Sequence, residues 1–184
     1  MLQQDVVNLI RDDERMMNIL QMVKSLGLPD WCVCAGFVRS KVWDYLHGIK
    51  ETRLPDMDVV YFDADSTDES IEKEYERNLK ELDSSVPWSV KNQARMHIKS
   101  GHLPYTSTVD GLSHFPEVCT AIGVYLNSSD EVTLVAPYGV EDLIKLIVRP
   151  TPYFTSGDKL TIYEQRIASK KWEATWNRLR IIRF

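Results

Sequence analysis

Cysteine is scarce in this chain: three among 184 residues, too few and odd in number for a disulfide framework. A reducing, cytoplasmic setting is therefore expected. Long apolar runs are missing as well. None approaches the roughly 18 residues of a membrane-spanning helix, so no membrane partner is expected. The opening MLQQDVVNLIRDDER has neither a basic start nor an uninterrupted apolar stretch, so no signal peptide is visible. Positive net charge is lacking too. Lys and Arg number 22 against 27 Asp and Glu, and the resulting −5 argues against bulk binding to DNA or anionic lipid. Repeats, low-complexity tracts and Gly/Ser linkers are absent.

What remains is a globular composition, 43 % hydrophobic and 27 % charged, long enough to bury a sizeable core without staples. The length suits one domain over 1–184, with a core over about 28–136 and a helical C-terminal extension over about 137–184. Val6, Ile10, Met17, Leu20 and Val23 mark residues 3–25 as helical, in two pieces broken near Asp12-Asp13. WCVCA (31–35) reads as a buried strand ending at Gly36. Val38, Val42, Tyr45 and Leu46 then share one helix face, which Gly48 closes. Met57–Phe62 is a second strand, and 67–82 an acidic amphipathic helix. Val86–Val90 is a third strand, and Gln93–Lys99 a short helix or turn. Residues 100–117 form a loop, 119–126 and 131–136 a hairpin around Asn-Ser-Ser-Asp, and helices follow near 139–148 and 158–177. This order predicts an α/β (α+β) fold with a mixed sheet flanked by helices, followed by a C-terminal hairpin and helices.

The acidic total hides an asymmetry. Residues 145–184 carry nine Lys and Arg against three Asp and Glu, while residues 1–144 carry 13 against 24. The basic end is either a solvated helix face or a surface for a polyanion, such as a nucleotide's phosphates or RNA.

Chemistry concentrates in AGFVRSKVWDYLHGIKETRLPDMDVVYFD (35–63). Asp56 and Asp58 are two apart at a strand's start, and the strand's period of two turns both carboxylates to one side. Two like charges so close repel unless a cation sits between them. Oxygen-only donors favour Mg²⁺ or Mn²⁺ over zinc. Upstream, the strand–Gly36–helix turn presents first-turn amides as a phosphate site, and Gly36 lets a triphosphate come close. Arg39, one turn in, reaches the same phosphates through its planar fork. Cys32-x-Cys34, with period two and no second pair, reads as core thiols rather than a metal site.

Gly36-Phe37-Val38-Arg39, Gly48 and Asp56-x-Asp58, in this order, resemble the DNA polymerase β-type nucleotidyltransferase superfamily, and within it the head of CCA-adding enzymes. Nearly the whole chain resembles a bacterial group of nucleotidyltransferase family proteins, through AGFVRSKVWDYLHG (35–48), DMDVVYFD (56–63), WSVKNQARMH (88–97), PYTSTVDGL (104–112), APYGVEDL (136–143) and Lys170-x-Trp172. The resemblance implies a metal-dependent transfer of a nucleoside monophosphate from a nucleoside triphosphate to an unidentified acceptor: a small molecule, protein or RNA. It implies Asp56 and Asp58 as catalytic metal ligands, and Gly36, Phe37 and Arg39 on the phosphates.

Lys91 and Asn92 are further expected at the nucleotide, with Arg95, His97 and Asp110 as accessories beside the acidic pair. Their plainer role is to satisfy backbone groups at a strand end. Two departures stand out. Phe37 replaces a second small residue, and 18 residues separate it from Asp56. Superfamily members with two metals place a third carboxylate on the neighbouring strand, and Trp88–Asn92 has none. Asp83, Asp110 and Glu117 are substitutes, or His97 as a base. The alternative is a nucleotide- or RNA-binding module of the same fold without turnover.

Overall fold

The computed structural model describes residues 1–184. Five strands form one sheet: β1 (Trp31–Cys34), β2 (Met57–Tyr61), β3 (Trp88–Asn92), β4 (Gly123–Leu126) and β5 (Val132–Val135), in the order β3-β2-β1-β4-β5. Within this sheet only β2 and β3 run parallel, and helix α4 (Glu69–Leu82) connects them; its other pairings are antiparallel. The expected mixed sheet is therefore present, and mostly antiparallel. No helix is long and apolar enough to cross a membrane.

Helices α1 (Gln3–Arg11) and α2 (Glu14–Ser25) are separated at Asp12-Asp13 as the sequence predicts. Asp13 is the reason for the restart. Its Oδ1 accepts from the Met16 amide at 3.0 Å, capping α2, while Oδ2 pairs with Lys41 of α3 (Gly36–His47). That ties the N-terminal helices to the site-bearing helix. Gly48, at φ +67°, ends α3 in the left-handed cap its position suggested.

Helix α4 departs from the simple amphipathic picture. Leu79 is buried, but Leu82 is exposed, and two of the acids, Glu72 and Glu76, turn inward. β3 is an edge strand, whose unpaired amides need acceptors. Glu76 Oε1 accepts from Val90 N at 3.1 Å and Glu72 Oε1 from Asn92 N at 2.9 Å, so α4's carboxylates serve as the missing ladder partner.

Helix α5 (Gln93–Ser100) follows β3 directly. Three other expectations shift. Within 100–117 lies a short helix, α6 (Thr108–Ser113), because the Ser107 hydroxyl accepts from Asp110 N. The helix near 139–148 shrinks to one turn, α7 (Glu141–Ile144): Leu146, at φ +57°, reverses the chain into β6 (Ile147–Val148). β6 pairs in parallel with β7 (Arg180–Ile181), a partner too distant for local pattern to reveal. The last helical stretch breaks at Lys171, φ +48°, into α8 (Gly157–Lys170) and α9 (Trp172–Thr175).

A core of 31 buried residues joins α1–α4, the sheet and the C-terminal segment, with Tyr163, Ile167, Trp172 and Trp176 in the same cluster as Val33 and Val59. Trp43 sits at the junction, its ring edge-on to Trp172 at 5.7 Å and to Trp176 at 5.1 Å. Such pairs add about 0.5–1.5 kcal/mol each beyond their burial. The C-terminal helices are thereby fastened against α3 beside the β1–α3 turn.

Candidate functional site

At the end of β1 the chain turns sharply into α3. The strained residue is Ala35, at φ +52° and ψ −112°, rather than Gly36. An L-residue there costs about 1–3 kcal/mol, held in place by its surroundings. Ala35 N donates to Ile122 O at 2.8 Å, and Ala35 O accepts from Arg39 N at 2.9 Å. Gly36 has a different use. A Cβ there would lie 3.4 Å from Leu54 Cδ2 and 3.7 Å from Arg39 Nη2, in space that belongs to the adjoining cleft. No side chain caps the first turn of α3, so its outward amides are open to an anion.

That cleft, about 390 Å³, has three walls: the turn with Gly36, Arg39 and Ser40; the 52–58 segment with Arg53, Asp56 and Asp58; and the C-terminal helices with Arg166, Lys170, Trp172 and Trp176. Asp56 is exposed and Asp58 half-buried, and neither is in an ion pair or hydrogen bond with another residue. Burial, and then the neighbouring Asp56 charge, push the Asp58 carboxyl up to about 6, against the pull of Arg166, Arg39 and Lys170. The two acids are close enough to repel, and no lysine or arginine neutralises them.

Arg39 is equally solitary. It is 8 % exposed, and its Nε meets no acceptor. The guanidinium carbon lies 4.4 Å from the Trp172 ring centroid and 5.3 Å from that of Trp43, contacts worth about 0.5–2 kcal/mol each. Burial lowers its pKa, partly offset by Cys119 and Glu117. The buried Ser40 hydroxyl is also unpartnered. Buried donors are almost always satisfied, so two orphans in one cleft mark a place for an outside acceptor.

Asp44, on α3, organises the walls. Its Oδ1 accepts from Trp176 Nε1 at 2.8 Å and Thr52 Oγ1 at 2.7 Å, and Oδ2 accepts from Thr52 N at 2.6 Å. One buried carboxylate thus joins the loop leading to the acidic pair to the helices carrying Arg166 and Lys170.

The structure places several of the expected residues away from this cleft. Phe37 points into the main core, 4 % exposed, and lines no part of the cleft. The parallel register sets Ser89 beside Asp58, whereas Lys91 and Asn92 pair with Val60 and Tyr61, two and three positions on, or roughly 7–10 Å further along. Lys91 Nζ is bound to Glu76 at 3.3 Å, and Asn92 Nδ2 donates to Asp63 O and Ser66 O. Arg95 pairs with Glu72 through two bonds of 2.6 and 2.7 Å. The His97 ring packs against Tyr105. Asp110 accepts from Thr106 N, and Asp83 from Ser85 N. Glu117 is fully buried on Arg166 and Thr120. None of the suggested third acids is free in the cleft, and no group of three His, Cys, Asp or Glu could hold a metal ion.

Sequence reasoning missed Asp44, Ser40, Arg53, Arg166 and Lys170. For the last two a signal existed: they stand four apart in the basic C-terminal segment, on one helix face. A larger cavity, about 640 Å³, lies between the start of β1 and the β4–β5 hairpin, but its Lys24 and Asp30 already bond Asp130 and Thr108.

A family model described as nucleotidyltransferase matches residues 21–181. No curated protein matches the chain significantly. Among solved structures, one titled as an NMR structure revealing a CCA-adding enzyme head domain is 34 % identical, covers 99 % of this chain and 96 % of its own, and gives a TM-score of 0.88. A CCA-adding enzyme in complex with CTP is 16 % identical over 96 % of this chain, with a TM-score of 0.62. The Thermotoga maritima CCA-adding enzyme complexed with tRNA is 18 % identical over 96 %, with a TM-score of 0.60. At these lower identities the likeness is one of fold, and the matches cover 43 % and 42 % of those longer chains.

Proposed function

We propose, from the premise that this chain belongs to the nucleotidyltransferase family, that residues 1–184 act as one unit that transfers a nucleoside monophosphate from a nucleoside triphosphate to an acceptor. The observation that carries this reading is the coexistence, in one cleft, of unneutralised Asp56 and Asp58 with the unpaired, buried Arg39. Charges of opposite sign that share a cleft without pairing fit a ligand that itself carries both signs: a polyphosphate and its divalent cation.

The donor set fits Mg²⁺ or Mn²⁺, since hard carboxylate oxygens from Asp56 and Asp58 suit these ions and the raised Asp58 carboxyl gains from a nearby cation. When bound, such an ion supplies charge stabilisation at the α-phosphate and the departing pyrophosphate. The chain's own groups do the rest. The open amides of α3 receive phosphate oxygens, and the absent side chain of Gly36 makes room for them. Arg39, held against two tryptophan rings, presents its donors with little need to reorganise. Arg166 and Lys170, on α8, add positive charge to the same cleft.

The test is equilibrium titration of the four NTPs with Mg²⁺ or Mn²⁺ against wild type and Asp58→Ala. Metal-dependent binding lost in the variant supports the reading; no metal-dependent binding, or binding indifferent to the substitution, would falsify it.

One observation favours a second reading, a nucleotide- or RNA-binding module without turnover: Ser89, not an acid, stands beside Asp58. Release of pyrophosphate from bound NTP on addition of total RNA or a metabolite extract separates the two.

A further inference from the structure

The carboxylate that does not reach the acidic pair has another use. Glu117 is fully buried in the segment before β4. Its Oε2 accepts from Thr120 Oγ1 at 2.8 Å, and Oε1 accepts from Arg166 Nε at 2.6 Å. This single contact through Nε anchors the guanidinium while leaving both terminal nitrogens without a protein acceptor. Arg166 is still partly exposed, at 35 % of its side chain, and it lines the same cleft as Arg39. An arginine held this way resembles a fork clamped at the handle, with its tines free for a planar, multidentate anion.

A purely structural pair would use itself up. An arginine that meets a carboxylate in two parallel bonds, as Arg95 meets Glu72, has little left to give. Glu117 instead spends its second oxygen on a threonine, so Arg166 is anchored but not consumed.

We infer that Glu117 is a positioning residue that aims the terminal nitrogens of Arg166 at the outer phosphates of the bound nucleotide, so that the pair selects a triphosphate over shorter phosphates. The inference rests on the nucleotide reading of this cleft. Arg166 and Arg39 line the same cleft, and the buried Glu117 acts as a counter-charge on both. The C-terminal segment therefore forms part of the recognition surface, and α8 contributes chemistry as well as packing.

The experiment uses the full chain with inorganic tripolyphosphate and orthophosphate as probes, each with Mg²⁺, in isothermal titration. Glu117→Gln and Arg166→Lys are each expected to weaken tripolyphosphate about tenfold, the usual worth of a lost charge-assisted bond, and to change orthophosphate less than about twofold. In an Arg166→Ala background, Glu117→Gln should add nothing, because a residue acting through another loses its effect when that partner is gone. Equal weakening of both probes, or an effect of Glu117→Gln that persists without Arg166, overturns the inference. If Glu117→Gln does not fold, Thr120→Val loosens the same carboxylate and should give the same selective loss, in smaller measure. No loss there, with none in Arg166→Lys, overturns it too. Tripolyphosphate binding abolished by Asp58→Asn but untouched by these variants rejects the role of Glu117 and leaves the nucleotide reading standing. Absence of tripolyphosphate and NTP binding in wild type rejects both.

Discussion

The two ends of the parallel β2–β3 pair hold comparable charges and treat them in opposite ways. At the far end, Glu72, Glu76, Lys91 and Arg95 neutralise one another and feed the edge-strand amides. The Glu72 bonds raise the pKa of Arg95; burial pushes Glu76 up, but Lys73, the Val90 amide and Lys91 outweigh it and bring it down. At the near end, Asp56, Asp58 and Arg39 stand unpaired, and burial with Asp56 pushes Asp58 up to about 6. Paired charge holds the fold together, whereas unpaired charge stores binding capacity at a cost in stability. The difference lies in what each charge faces, since both ends are built from carboxylates and basic side chains.

The sharpest way to break the comparison is at the paired end. Glu72→Ala leaves Arg95 and the Asn92 amide without their partner, and should cost about 3–5 kcal/mol in urea unfolding. A loss below about 1 kcal/mol would show that the far-end network is ornamental. At the unpaired end the largest effect is on binding. Asp58→Ala should weaken metal-dependent NTP affinity about 100-fold, or roughly 3 kcal/mol, measured by titration calorimetry.

Stability should move the other way there. A carboxyl whose folded pKa is raised disfavours the fold only when ionised, so the penalty is absent below about pH 4 and complete above about pH 6. Asp58→Asn, free of divalent cations, should therefore stabilise the protein by about 1–2 kcal/mol at pH 8, allowing for the site's partial exposure, and leave it unchanged at pH 4. Urea midpoints at the two pH values decide it, and destabilisation at pH 8 would mean that Asp58 has a partner after all. The smallest effect belongs to Lys91→Ala. Its ammonium, 30 % exposed, lies on Glu76 and Glu72, so stability should fall by at most about 1 kcal/mol and NTP affinity should stay within twofold. A large loss of affinity would return Lys91 to the nucleotide.

The near end was the more legible of the two in the sequence. Ala35-Gly36, Arg39 and Asp56-x-Asp58 lie within one strand–helix–strand passage, and short-range geometry suffices to bring them together. The far end was not, because Lys91, Asn92 and Arg95 are the same residue types that would serve a nucleotide. Only the parallel register, which places Ser89 and not Lys91 beside Asp58, sends them elsewhere. Asp44 escaped notice for a similar reason. On a helix it reads as one more surface acid, and its partners Thr52 and Trp176 are 8 and 132 residues away. Arg166 and Lys170 stood in a segment whose basic surplus was plain, but nothing local said which of its cations would face the cleft.

By itself the sequence determined the order of α1–α4 and β1–β5 along the chain, the mixed sheet, the turn after β1 and the spacing that puts two carboxylates at the head of β2. These depend on periodicity, chain reversal and the pleat, all of which act over a few residues. The tertiary structure alone decided which charges found counter-ions. Ion pairing depends on distances between segments far apart in the chain, and in this protein those distances leave one cluster satisfied and the other open.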